Sequence, residues 1–86
     1  MNDEISLEGP VQLVDGELVV LIPLEEGGAE FVACTRGIGE IQGENLKIVI
    51  QPWLAGLLRV EAGDRVVLRN ARGKFAIHAL QPRFVN

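Results

Sequence analysis

Apolar positions along this chain recur in short alternating runs, broken by glycine, proline and asparagine. That spacing predicts strands nearly throughout, with one interruption of helical period. VQLV (11–14) and GELVVLIPL (16–24) flank Asp15-Gly16, a strong signal for a two-residue hairpin turn. Residues 18–24 are apolar on both faces apart from Pro23, as a central strand requires. Proline donates nothing to a ladder, so the strand is predicted to end or bulge at Pro23. After the loop Glu25-Glu26-Gly27-Gly28, AEFVACT (29–35) reads as a further strand. Ala29, Phe31 and Ala33 would share one face, with Glu30, Val32 and Cys34 on the other. RGIGEIQGEN (36–45) is glycine-rich, with room for a short strand at 39–41 between turns. LKIVI (46–50) alternates cleanly, Leu46, Ile48 and Ile50 against Lys47 and Val49.

The period changes after Gln51. Pro52 suits a first helical position, and Trp53, Leu54, Leu57 and Leu58 fall on one helical face. The predicted helix spans about 52–59 and is weakened at Gly56 by ~1 kcal/mol relative to alanine. Tertiary packing must therefore hold it, with Trp53, Leu54 and Leu57 expected at the core or an interface. After the turn Glu61-Ala62-Gly63-Asp64, RVVLR (65–69) and KFAIHAL (74–80) form a last hairpin around Asn70-Ala71-Arg72-Gly73. A four-residue type I loop with a glycine bulge fits that sequence. The expected pairing is Leu68 with Phe75 and Val66 with Ile77. Arg69 then faces Lys74, and Arg65 faces His78, on the outer face. Like charges in register are destabilising, so an acidic surface or an external anion should offset them.

Charge sharpens this point. Residues 1–45 carry ten acidic side chains and one basic one, Arg36, whereas residues 46–86 carry seven basic and two acidic, for a net −4. The basic part suggests an anionic partner, or attraction between the two halves within one fold or across a dimer. The second reading is favoured, because an acidic whole repels polyanions. An 86-residue chain with 48% apolar residues is one packed domain, small enough that oligomerisation is expected. Residues 1–9 are read as a flexible N-terminus, 10–81 as the β-rich domain and 82–86 as a tail. The opening MNDEISLEG has no apolar run, and no segment approaches the ~20 residues of a membrane helix, so a cytoplasmic location is expected.

Candidate chemistry is sparse. Cys34 would need His78, the only histidine, brought to it across the fold, and a structural cysteine is the simpler reading. His78 alone makes no metal site. Gly37, Gly39 and Gly43 lack the dinucleotide spacing and read as turns. No catalytic residue, metal or cofactor is expected. Arg65, Arg69, Arg72, Lys74 and His78 remain candidates for contact with an anion, a nucleic acid or a protein partner.

Ile50, Pro52, Leu54, Leu58, Val60, Gly63, Asp64 and Val66 resemble the AbrB-like (SpoVT/MazE/AbrB) swapped-hairpin family. That family's pattern is an apolar strand, I-P-x-x-L, a short helix, L-G-I-x-x-G-D-x-V and a final hairpin. The resemblance spans residues 46–80 and extends to other cradle-loop barrels. The residue pattern predicts a mainly β fold of six or seven short strands with one short α-helix; the resemblance implies that it is a small cradle-loop-type β-barrel and an obligate dimer. Gln51 is an extra residue before the proline, Ala55 replaces a basic residue, and Arg59 replaces a glycine. The family's DNA contacts lie largely in an N-terminal region that is often basic. The corresponding region here is acidic, so none is carried over. The expected function is a non-enzymatic interaction or assembly module, a homodimer with a further protein partner possible. An AbrB-like transcription regulator or antitoxin-like DNA-binding protein is the alternative. A thiol-dependent enzyme using Cys34 comes last.

Overall fold

In the computed structural model the described residues are 4–80, and the expected tail, 82–86, lies outside them. Among the described residues the alternating sequence produces seven strands: β1 (Glu4–Pro10), β2 (Gln12–Val14), β3 (Glu17–Pro23), β4 (Gly39–Gln42), β5 (Asn45–Ile50), β6 (Arg65–Ala71) and β7 (Lys74–Leu80). The one α-helix among these residues, α1 (Pro52–Leu58), follows β5. The mainly β class, the strand number and the one short helix match the expectation. The strands form two antiparallel sheets, ordered β1-β6-β7 and β2-β3-β5-β4, rather than one continuous ladder.

Burial of the inward rows holds the sheets together. Val20 and Ile22 of β3 and Leu46, Ile48 and Ile50 of β5 meet Val66 and Leu68 of β6 in one buried cluster. Ile5, Leu7, Phe75, Ile77 and Ala79 pack at its margin. Each such side chain contributes on the order of 1.5–3 kcal/mol when fully removed from water. Val11 bridges the sheets: its N–H donates to the Asp64 carbonyl at 2.8 Å, and its carbonyl accepts from Gly63 N–H at 2.9 Å. The Asp64 carboxylate accepts from Glu61 N–H at 2.9 Å, which fixes the turn before β6.

Asp15-Gly16 turns as expected, with both φ angles positive (51° and 82°) as a type I′ hairpin requires. Pro23 closes β3. Pro52 opens α1, and Arg59 takes the left-handed position at its end (φ 59°, ψ 48°). That position favours glycine.

Three expectations are corrected. Residues 4–9, read as a flexible extension, form most of β1 and pair with β6 from Glu4↔Ala71 to Gly9↔Val66. The short inward row of Ile5 and Leu7 finds a strand partner only through the fold. Residues 29–35, read as a strand, lie in 3₁₀ turns at Gly28–Phe31 and Ala33–Thr35. Thr35 Oγ1 donates to the Phe31 carbonyl at 2.8 Å, a side-chain bond that competes with a ladder. The last hairpin turns on two residues, not four: Arg72 (φ 55°) and Gly73 (φ 86°) lie between Ala71 and Lys74, which pair. Register shifts by two residues, so Leu68 faces Ile77 and Val66 faces Ala79. A shift of two keeps every side chain on its expected face.

Candidate interaction surfaces

The corrected register removes the clash between like charges. Arg69 lies opposite Ala76 and Arg65 opposite Leu80, while His78 faces Val67. On the other side of β6, strand β1 aligns Ser6 with Arg69 and Glu8 with Val67. Glu8 reaches Arg65 at 3.5 Å, and Glu4 forms an ion pair with Arg69. The outer face of the three-stranded sheet is therefore neutralised along β1, by the chain's own acidic half. Lys74 and His78 lie exposed on β7, and Arg72 forms the turn. Asn70 is a tether: Nδ2 donates to the Glu30 carbonyl at 2.7 Å, and Oδ1 accepts from Gly73 N–H at 2.8 Å.

Both ion pairs are half-exposed, so each contributes only ~0.2–1 kcal/mol. The Glu4→Gln/Glu8→Gln double variant is expected to lose about 0.4–2 kcal/mol of stability at low salt, with the deficit shrinking as salt screens the charges. Urea denaturation at two ionic strengths measures this, and a deficit insensitive to salt would rule out an electrostatic origin.

The helix divides the apolar trio. Leu54 is half-buried against the core, with Leu58 beside it. Trp53 and Leu57 are 67% and 74% exposed, so of the expected core or interface position the core is excluded for these two. At positions i and i+4 they form one ridge on α1. No charged residue lies between Pro52 and Leu58.

The structure does not bring Cys34 and His78 together. Cys34 packs at the margin of the core, where Phe75, Ile77 and Ala79 of β7 also point, whereas His78 alternates to the opposite, exposed face. Burial pushes the Cys34 thiol pKa up, partly opposed by a hydrogen bond from its own backbone N–H. Sγ lies 3.6 Å from the Phe31 carbonyl. A raised pKa leaves less thiolate at neutral pH.

The glycines of 36–45 serve the turns. Gly37 and Gly43 have φ of 94° and 61°. A Cβ on Gly39 would stand 2.6 Å from Thr35 Oγ1. Among the described residues no group of three or more His, Cys, Asp or Glu is placed to hold a metal ion. No helix among them is long and apolar enough to cross a membrane.

One feature had only a partial signal in the sequence. The second face of the four-stranded sheet carries Glu17 from β3, Glu40 from β4 and Lys47 from β5. Lys47 Nζ lies 3.6 Å from Glu17 Oε1, with its side chain only 16% exposed. A cleft of about 360 Å³ opens over these residues beside Gly37 and Gln51. An adjoining cleft of about 440 Å³ is lined by Leu18, Ile50, Pro52 and Ala55. Alternation within LKIVI placed Lys47 and Val49 together; Glu40 comes from the preceding strand β4 across the Gly43-Glu44 turn, and only Glu17 comes from a strand distant in sequence.

Comparison with protein-family models, curated proteins and solved structures gives no match to this chain.

Proposed function

We propose that this protein is a non-enzymatic interaction module that assembles as a homodimer through α1. The observation that carries the proposal is the ridge of Trp53 and Leu57, two large apolar side chains held in water on a helix without charge. Isolated exposed leucines are ordinary, but a tryptophan and a leucine side by side form the type of anchor that dominates interfaces. The helix is too short to persist alone, so the core fixes this ridge in place through Leu54, Ala55 and Leu58. Kinship with AbrB-like proteins belongs to the same proposal, supported by the order β5–α1–β6–β7. So does a cytoplasmic setting, supported by the unpaired Cys34.

A DNA-binding role is not favoured, because Glu4 and Glu8 occupy Arg69 and Arg65. Light scattering at micromolar concentration is expected to give about twice the 9.4 kDa chain mass. Trp53→Ala/Leu57→Ser is expected to reduce this to a single chain with unchanged circular dichroism, since neither side chain supports the core. A wild-type monomer at that concentration would overturn the dimer. Binding to mixed-sequence duplex at about 50 mM salt that weakens steeply as salt rises would restore the regulator reading.

A further inference from the structure

We infer that the outer edge of β7 is a self-association edge, on which a second copy of this chain adds its own β7 antiparallel, Ile77 beside Ile77. Strand β7 ends the order β1-β6-β7, and no strand flanks its other side among the described residues. The two-residue turn makes Ala71 and Lys74 a hydrogen-bonded pair, and in turn Arg69–Ala76, Val67–His78 and Arg65–Leu80. The backbone groups of Phe75, Ile77 and Ala79 therefore point away from β6. Among the described residues no backbone bond reaches them. The sheet edges differ in their protection. Strand β2 has three residues and β4 four, while β1 carries Glu4 and Glu8 and closes on Gly9-Pro10. Strand β7 has seven residues, a single charged one in Lys74 at its first position, and neither glycine nor proline. A long apolar edge without such protection is a template for another strand.

Register and charge identify that strand as β7 of a second copy. Phe75, Ile77 and Ala79 are only half-buried, whereas Val66 and Leu68 on β6 are fully covered. With Ile77 opposite Ile77, each Phe75 opposes Ala79 of the other copy. These pairs exchange six backbone hydrogen bonds and carry the apolar row across the joint. A shift of two residues either way leaves one outward residue of each chain with no partner in β7. On the exposed face Ala76 meets His78 and Lys74 meets Leu80, so no basic side chain opposes another. The acids of this sheet, Glu4 and Glu8, lie on β1 at its far edge. In the joined six-stranded sheet the two β1 strands stand about 24 Å apart, well beyond the ~8 Å over which charges act at physiological salt. The edge contains neither Trp53 nor Leu57, so it goes beyond the proposed α1 contact and would link dimers formed through it.

Six backbone bonds, each replacing bonds to water, stand against the freedom lost on association, so the edge fills only at about 0.1–1 mM. The test uses the full chain carrying Trp53→Ala/Leu57→Ser, which removes the α1 contact. Sedimentation equilibrium is expected to give close to one chain at about 20 μM and at least about 1.5 chain masses at about 1 mM. Over that range amide exchange at Phe75, Ile77 and Ala79 should slow at least about twofold. Ala76 and His78, whose amides already bond to β6, should change less. Adding Ala76→Glu/His78→Glu sets glutamate opposite glutamate across the joint, on the exposed face, and should return the protein to one chain at about 1 mM. The exchange pattern involves no substitution in β7, so it decides the matter even where those glutamates disturb the strand. A single chain at the higher concentration before the glutamates are added would overturn the inference. So would equal slowing at Ala76 and His78, or association undiminished by the glutamates. The α1 contact is decided by the wild type at micromolar concentration, so the two fail separately.

Discussion

Phe31→Ala is expected to destabilise the protein by about 3–5 kcal/mol, a large part of the ~5–15 kcal/mol available to a small domain. Phe31 is fully buried and belongs to the central cluster. Its ring meets Phe75 edge-on, with centroids 6.3 Å apart and planes at 90°. It therefore joins the 3₁₀ segment to strand β7, across the mouth of the core. Truncation leaves a cavity that neighbours fixed in two sheets cannot collapse to fill. Phe31→Leu retains most of the volume and should lose less. Urea midpoints for the three proteins give the comparison. A loss below about 1 kcal/mol for the alanine variant would mean that the segment repacks freely.

Gly28→Ala is expected to rank beside it, at about 3 kcal/mol or more, for a different reason. A Cβ at Gly28 would stand 2.8 Å from the carbonyl oxygens of both Ile22 and Pro23. Both contacts are with backbone, so no side chain can rotate away. The end of β3 or the following 3₁₀ turn would have to move. Gly56→Ala is the internal control. It adds a methyl group in open space within α1 and should stabilise by up to about 1 kcal/mol. Opposite signs in thermal melts are the expected result. Similar small effects at both sites would contradict the close packing at Gly28.

Features governed by a local rule that acts through few neighbours stand in the structure as the residues predict. Asp15-Gly16 turns as its residues require, and Pro52 opens the helix. Alternation in β5 separated Leu46, Ile48 and Ile50 from Lys47 and Val49. Residues 29–35 have the spacing of a strand yet wind as 3₁₀ turns. The deciding contacts are the Thr35 hydroxyl on the Phe31 carbonyl and the phenyl ring on Phe75. Strand β1 has little signal in the sequence, because Ile5 and Leu7 form too short an apolar row to mark a strand without β6 beside them.

The candidate surfaces divide in the same way. The basic residues of β6 and β7 were visible, as was the acidic excess that precedes them. Their mutual neutralisation depends on β1 lying antiparallel to β6, which sets Glu4 and Glu8 within reach of Arg69 and Arg65. The apolar face of α1 was also visible. Its division into the anchoring Leu54 and Leu58 and the exposed Trp53 and Leu57 depends on how the helix rolls onto the core.

By itself, the sequence determined the mainly β class, the positions of two turns, the one helix and the face to which each residue of the last hairpin belongs. Those features follow from backbone restrictions at Asp-Gly and proline and from the period-two geometry of strands, which act over a few residues. Tertiary structure alone decided the hairpin register, the helical winding of 29–35, the pairing of the acidic with the basic half and the meeting of Glu17, Glu40 and Lys47 on one face of the four-stranded sheet. The register and the winding were settled by how Ile77, Phe75 and Phe31 pack into the core, and the other two by contacts between residues far apart in the chain, whose burial and charge terms exist only once the sheets have formed.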